Sequence, residues 1–128
     1  MREIIFRGKR FDNGEWIEGN LFIPDRDDTP TEICIGTNIV RISYDVQPET
    51  IGQYTGLTDK NGKKIFEGDI VKMYLTNGAE IGYIKYENKS CRFLFIDEYS
   101  FGYGFDDTCL PEVIGNIHDN PKLLGGDV

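Results

Sequence analysis

The sequence predicts an all-β protein, and three observations carry that prediction. Apolar and polar residues alternate at period two along much of the chain, helical spacing is nearly absent, and turn-forming residues recur about every ten positions. Fifteen glycines in 128 residues suit a chain that reverses often. The expected architecture is a short-stranded N-terminal lobe packed on a coiled, barrel-type C-terminal sheet, ending in a short helical turn. At this length the chain reads as a single domain, 1–128, with sub-lobes 1–46 and 47–128.

The elements follow in order. "REIIF" and "EWIEGNLFI" read as strands around a turn at Asn13-Gly14, and Pro24 ends the second. "PDRDDTPT" is a polar loop and "EICIG" a short strand. In "NIVRISYDV", Val40, Ile42, Tyr44 and Val46 face one way while Arg41, Ser43 and Asp45 face the other; Pro48 then blocks further pairing. "DIVKMYL", "EIGYIKY" and "CRFLFI" are rich in β-branched and aromatic residues, and Asn77-Gly78 joins the first two as a hairpin signal. "DEYSFGYGFDDT" reads as an irregular excursion, "EVIGNIH" as a last strand, and "DNPKLL" as one helical turn capped by Asn120, with Leu123 and Leu124 tucked inward. Trp16, Ile42, Tyr44, Tyr54, Val71, Met73, Tyr83, Phe93, Phe95, Ile114 and Ile117 are expected to supply much of the core.

"YTGLTDKNGKKIFEGDIV", Tyr54 to Val71, has the composition of a ligand loop, yet it fails both templates that such a loop would follow. A phosphate loop needs four residues between its glycines and a hydroxyl after the lysine; five residues separate Gly56 from Gly62, and Lys63-Lys64 follow. A calcium loop starting at Asp59 needs glycine at position six and glutamate at twelve, where Lys64 and Ile70 stand. A turn at Asn61-Gly62, with Glu67-Gly68-Asp69 turning the chain into the next strand, is the reading that fits.

The inventory for catalysis is thin. His118 is the only histidine, no CxxC pair exists, and the three cysteines (Cys34, Cys91, Cys109) are widely spaced and odd in number, as in a reducing compartment. A Cys109/His118 nucleophile pair requires only that the two meet in space, but a buried, inert thiol is the ordinary role of such a cysteine. Asp97-Glu98 and Asp106-Asp107 are neighbours in sequence, and adjacent acids on extended chain point to opposite sides. We expect no catalytic residues, no metal ligands and no cofactor.

The net charge is −8, and from Phe93 to Pro121 there are acids but no lysine or arginine. Such a segment repels phosphate backbones and keeps a protein soluble; it also suits a basic partner. Within it, Tyr99, Phe101, Tyr103 and Phe105 alternate with Ser100, Gly102 and Gly104. As a strand this run puts four rings on one face. Aromatics tend to bury, which favours a strand packed into the core; the alternative is an exposed, acid-rimmed patch that docks a partner. A basic face of Arg7, Lys9, Arg10, Lys60, Lys63 and Lys64 is the counter-candidate, for nucleic acid. No apolar run approaches a membrane span, and "MREIIFRGKRF" lacks the apolar stretch of a signal peptide, so a cytoplasmic location is expected.

Together, "IGQYTGLTDKNGKKIFEGDIV" (Ile51 to Val71), "EVIGNIHDNPKLL" (Glu112 to Leu124) and the opening "REIIFRGKRFDNGEWIEGNLF" closely resemble the YopX family of phage and prophage proteins, over nearly the whole chain. The resemblance implies a small, β-rich protein of the bacterial cytoplasm with no assigned activity, so no functional residue carries over. The Gly-Asp-Ile-Val entry into a bent hairpin is also similar to small SH3-like barrels, a likeness of fold and not of function. The expected role is that of a phage accessory protein that binds a host or phage protein, with a homo-oligomer also compatible with free sheet edges.

Overall fold

The structure, a computed structural model, describes residues 3–23, 32–36, 41–76 and 78–125, with the backbone alone at 32, 34–36, 41 and 42. It is all-β. The longest helical segment among the described residues is the four-residue 3₁₀ turn Pro121–Leu124. The chain forms two compact units, Met1–Tyr54 and Thr55–Val128.

In the first unit, β1 (Phe6–Lys9), β2 (Trp16–Phe22), β3 (Glu32–Gly36) and β4 (Arg41–Asp45) form an antiparallel meander, and the start of β5 (Gly52–Thr58) pairs with β1 through Gly52 and Gln53. The division therefore falls inside β5 rather than between 46 and 47, and Pro48 sits in a 3₁₀ turn, Pro48–Thr50. The alternation of faces holds where side chains are described: Val46 is fully buried and Tyr44 half-buried, while Ser43 and Asp45 are exposed. Val40 and the side chain of Ile42 lie outside the described residues. So do the "PDRDDTPT" loop, residues 24–31 with Pro24, and Asn77.

In the second unit, the end of β5 leads through a turn to β6 (Lys64–Phe66), then β7 (Asp69–Leu75), β8 (Gly78–Glu87), β9 (Arg92–Ile96), β10 (Gly102–Tyr103) and β11 (Glu112–Asn116). Five of these make an antiparallel sheet in the order β10-β9-β8-β7-β11. Its two edges, β10 and β11, are not paired with each other, so no closed barrel forms among the described residues. Strand β8 follows β7 as expected, with Gly78, at φ 110°, paired with Leu75. Ile65, Val71, Met73, Ile84 and Phe95 form the buried cluster of this unit, with Leu57, Leu75, Phe93, Phe105, Cys109 and Val113 packed against it.

Of the expected core, Tyr54, Val71, Met73 and Phe95 are buried, whereas Trp16, Tyr44, Tyr83, Phe93, Ile114 and Ile117 are half-buried. Trp16 is covered by cations rather than by the core: the Arg7 guanidinium lies 4.7 Å and the Lys9 ammonium 5.9 Å from its ring centroid. At the C-terminus the helical turn forms, but Asn120 does not cap it. Its side chain instead accepts from the Asn116 N–H, 3.2 Å away. Leu124 is half-buried; Leu123 is exposed, resting against Gly115.

Candidate functional site

The Tyr54–Val71 stretch is a hairpin pinned by one carboxylate. Asp59 is 6% exposed; its Oδ1 accepts from the Asn61 and Lys63 N–H groups at 2.8 and 2.9 Å, and its Oδ2 from the Val113 N–H at 3.0 Å. Gly62 supplies the left-handed residue at φ 84°, and its N–H closes the turn on the Asp59 carbonyl. Burial acts to raise the Asp59 pKa, but the three backbone donors together hold it below the ordinary aspartate value. A carboxylate with both oxygens committed to backbone has a turn to hold. At the next reversal, Asp69 is buried and its Oδ2 accepts from the Phe66 N–H at 2.7 Å.

The aromatic run divides between the two expectations. It is not one strand. After β9, the Asp97 N–H donates to the Phe101 carbonyl, the Ser100 N–H returns to the Asp97 carbonyl, and Ser100 takes φ 67°. The buried Asp97 side chain holds the loop from within, its Oδ1 accepting from the Tyr99 and Phe101 N–H groups, both at 2.9 Å. This tight reversal splits the rings. Tyr99 is 72% and Phe101 64% exposed at the hairpin tip, and Tyr103, paired with Phe95 on β10, is 39% exposed. Phe105 turns back and packs against the core cluster. The picture of four rings on one face is thus corrected: three are presented to solvent and the fourth is structural.

Acids surround the exposed rings. The Tyr99 pKa is raised, first by the adjacent Glu98 charge and by the hydrogen bond its hydroxyl gives that carboxylate. The Tyr103 pKa is raised first by partial desolvation and then by its hydrogen bond to Asp97. Glu80, on β8, contributes to both shifts and so belongs to the same surface. It carried no signal in the sequence, where it is one polar residue among several in a strand.

The remaining candidates have structural roles among the described residues. Cys109 packs on the apolar cluster, and the His118 N–H is held by the Asn116 side chain at 3.0 Å. Asp106 caps the 3₁₀ turn Asp107–Cys109, and its bonds from the Thr108 hydroxyl and N–H lower its pKa. No group of three or more His, Cys, Asp or Glu residues able to hold a metal occurs among the described residues. Of the basic candidates, Arg7 and Lys9 lie over Trp16, Arg10 stacks on Tyr44 at 4.1 Å and pairs with Asp12, and Lys60 lies 3.6 Å from Glu112. Lys63 is exposed and Lys64 half-buried. No helix among the described residues is long and apolar enough to cross a membrane.

Comparison with known proteins places these features in context. The family model described as YopX protein matches residues 5–125. Among solved structures, the crystal structure of protein EF1440 from Enterococcus faecalis is similar at TM-score 0.56 and 26% sequence identity, covering 97% of this chain and 99% of that one. No curated protein matches.

Proposed function

The chain belongs to the YopX family, and from that footing we propose that it is a non-catalytic protein-binding module whose contact surface is the β9–β10 hairpin tip, Tyr99, Phe101 and Tyr103. In this reading it is a phage or prophage accessory protein acting in the bacterial cytoplasm on a host or phage partner. The observation that carries the proposal is the presentation of Tyr99 and Phe101 to solvent by a loop whose own buried carboxylate fixes it. Apolar rings held outward forgo roughly 1.5–3 kcal/mol each of burial. A polar-rimmed aromatic patch is the composition of an interface centre.

The alternative, a nucleic-acid-associated protein acting through a local basic face, is the weaker reading. Most of its cations already stack on aromatics or pair with carboxylates, and the acids around the hairpin repel phosphate.

Affinity purification from the bacterial host, wild type against a Tyr99→Ser/Phe101→Ser variant, tests the proposal. The variant is expected to lose the co-purifying protein while keeping its stability within about 0.5 kcal/mol, since neither side chain is packed. Retention of the same partner by the variant would remove the hairpin tip as the contact surface. Capture of a second copy of this chain would identify the partner as itself.

A further inference from the structure

Beside the hairpin tip lies a pocket of about 290 Å³, lined by Ala79, Glu80, Ile81, Glu98, Leu123 and the Leu124-Gly125 backbone turn. Its volume stands at the lower limit of the ~300–1,000 Å³ of small-molecule sites and is ample for a single side chain. Glu80 pairs with Met73 across the sheet, on the core-facing side of β8, and this half-buries its side chain. Glu80 Oε2 is shielded from solvent and has no hydrogen-bond partner among the described residues, where no lysine or arginine pairs with Glu80 or Glu98 either. A carboxylate oxygen withdrawn from water without a partner is costly, and a cation that draws the half-buried Glu80 side chain toward the pocket recovers that cost. Leu123, 42% exposed, offers an apolar wall at the mouth; Ile81, next to Glu80 on β8, turns to the other face of the strand.

We infer that this pocket receives an arginine side chain of the partner, its guanidinium against the Glu80 and Glu98 carboxylates and its methylenes against Leu123. The inference rests on the reading of the hairpin tip as a docking surface and adds the chemistry of what docks. Arginine is favoured over lysine because a planar fork of donors serves two carboxylates at once, sheds water more readily, and stacks on rings such as Tyr99 and Tyr103 nearby. The acidic, lysine- and arginine-free segment from Phe93 to Pro121 supplies the complementary field.

The test is an amide NMR titration of the whole chain with arginine amide, against citrulline amide as the uncharged isostere and lysine amide as the point charge. Arginine amide is expected to shift the amides of Glu80, Ile81, Glu98 and Leu123, with citrulline amide and lysine amide weaker, citrulline by about tenfold or more. Glu80→Gln should weaken arginine binding by a similar factor while melting no lower than wild type, because the lost charge was uncompensated in the free protein. Absent shifts, equal binding of citrulline or lysine, or undiminished binding by Glu80→Gln would each overturn the inference. Shifts of the same amides on raising protein concentration alone would assign the pocket to a second copy of this chain instead. The titration needs no partner, so its failure leaves the hairpin-tip reading standing. Conversely, the Tyr99→Ser/Phe101→Ser variant keeps both carboxylates and should still bind arginine amide, more weakly by the stacking lost with Tyr99, whether or not a partner is captured.

Discussion

Gly82→Ala is expected to destabilise the C-terminal sheet by about 3 kcal/mol or more, toward the upper end of what overpacking costs. A Cβ built on Gly82 lies 2.1 Å from the Ile96 carbonyl oxygen, 2.8 Å from Phe95 Cζ and 2.9 Å from the Ile96 carbonyl carbon. Two of these atoms are backbone of the neighbouring strand and the third belongs to a fully buried ring, so none can swing aside. Chain entropy argues the other way, since alanine in a strand interior is favoured over glycine by roughly 0.5–1 kcal/mol. The clash is the larger effect. Gly104→Ala is the control: its nearest neighbour would be Arg92 Nη1 at 3.5 Å, the end of a flexible side chain, and the change should stay within about 0.5 kcal/mol. Urea unfolding followed by far-ultraviolet circular dichroism reads both. An unchanged midpoint for Gly82→Ala would show that β8 and β9 do not approach each other as described.

Asp59→Ala should be nearly as damaging, about 3 kcal/mol, because three backbone N–H groups lose their acceptor in one step. Asn61 and Lys63 are exposed, and water replaces much of what their N–H groups lose. Val113 is half-buried on β11, so its N–H bears the larger share, and with it the tie between the turn and a strand 54 residues away. The same bonds set a pH dependence. The folded carboxyl titrates below its unfolded value of about 3.9. The stability it contributes is therefore fully present above that value and lost as pH falls through the lower, folded one. Asp12 and Asp106 are also lowered and act in the same direction, so the measurement is the difference between wild type and Asp59→Asn. That difference should be largest at neutral pH and shrink as the pH drops below about 4. A difference independent of pH would mean that the charge of Asp59 contributes nothing to holding the turn.

Much of the fold was legible in the residues, and the reasons are local. "DIVKMYL" is β7 residue for residue and "EICIG" is β3, because β-branched and aromatic runs bounded by turn residues leave little choice of element. The Asn61-Gly62 turn was legible for the same reason: positive φ is affordable at few residue types. The site was less so. The rings at 99, 101, 103 and 105 were visible as a group, but their alternation suggested a strand that the Asp97-centred reversal breaks after Ile96. Asn120 looked like a helix cap, yet the Asn116 N–H, presented by β11, claimed its oxygen. Glu80 gave no sign at all.

What the sequence determined alone was the class of structure, the places where the chain turns and the family resemblance, since each depends on neighbours within a few positions. Tertiary structure decided which rings face solvent, which carboxylate is left without a partner and where a pocket opens beside them. Those outcomes depend on strands brought together from distant parts of the chain: Glu80 is defined by Met73 across the sheet, by Glu98 after β9 and by Leu123 after β11. Period two says that a side chain faces one side of a sheet; only packing determines what covers that side.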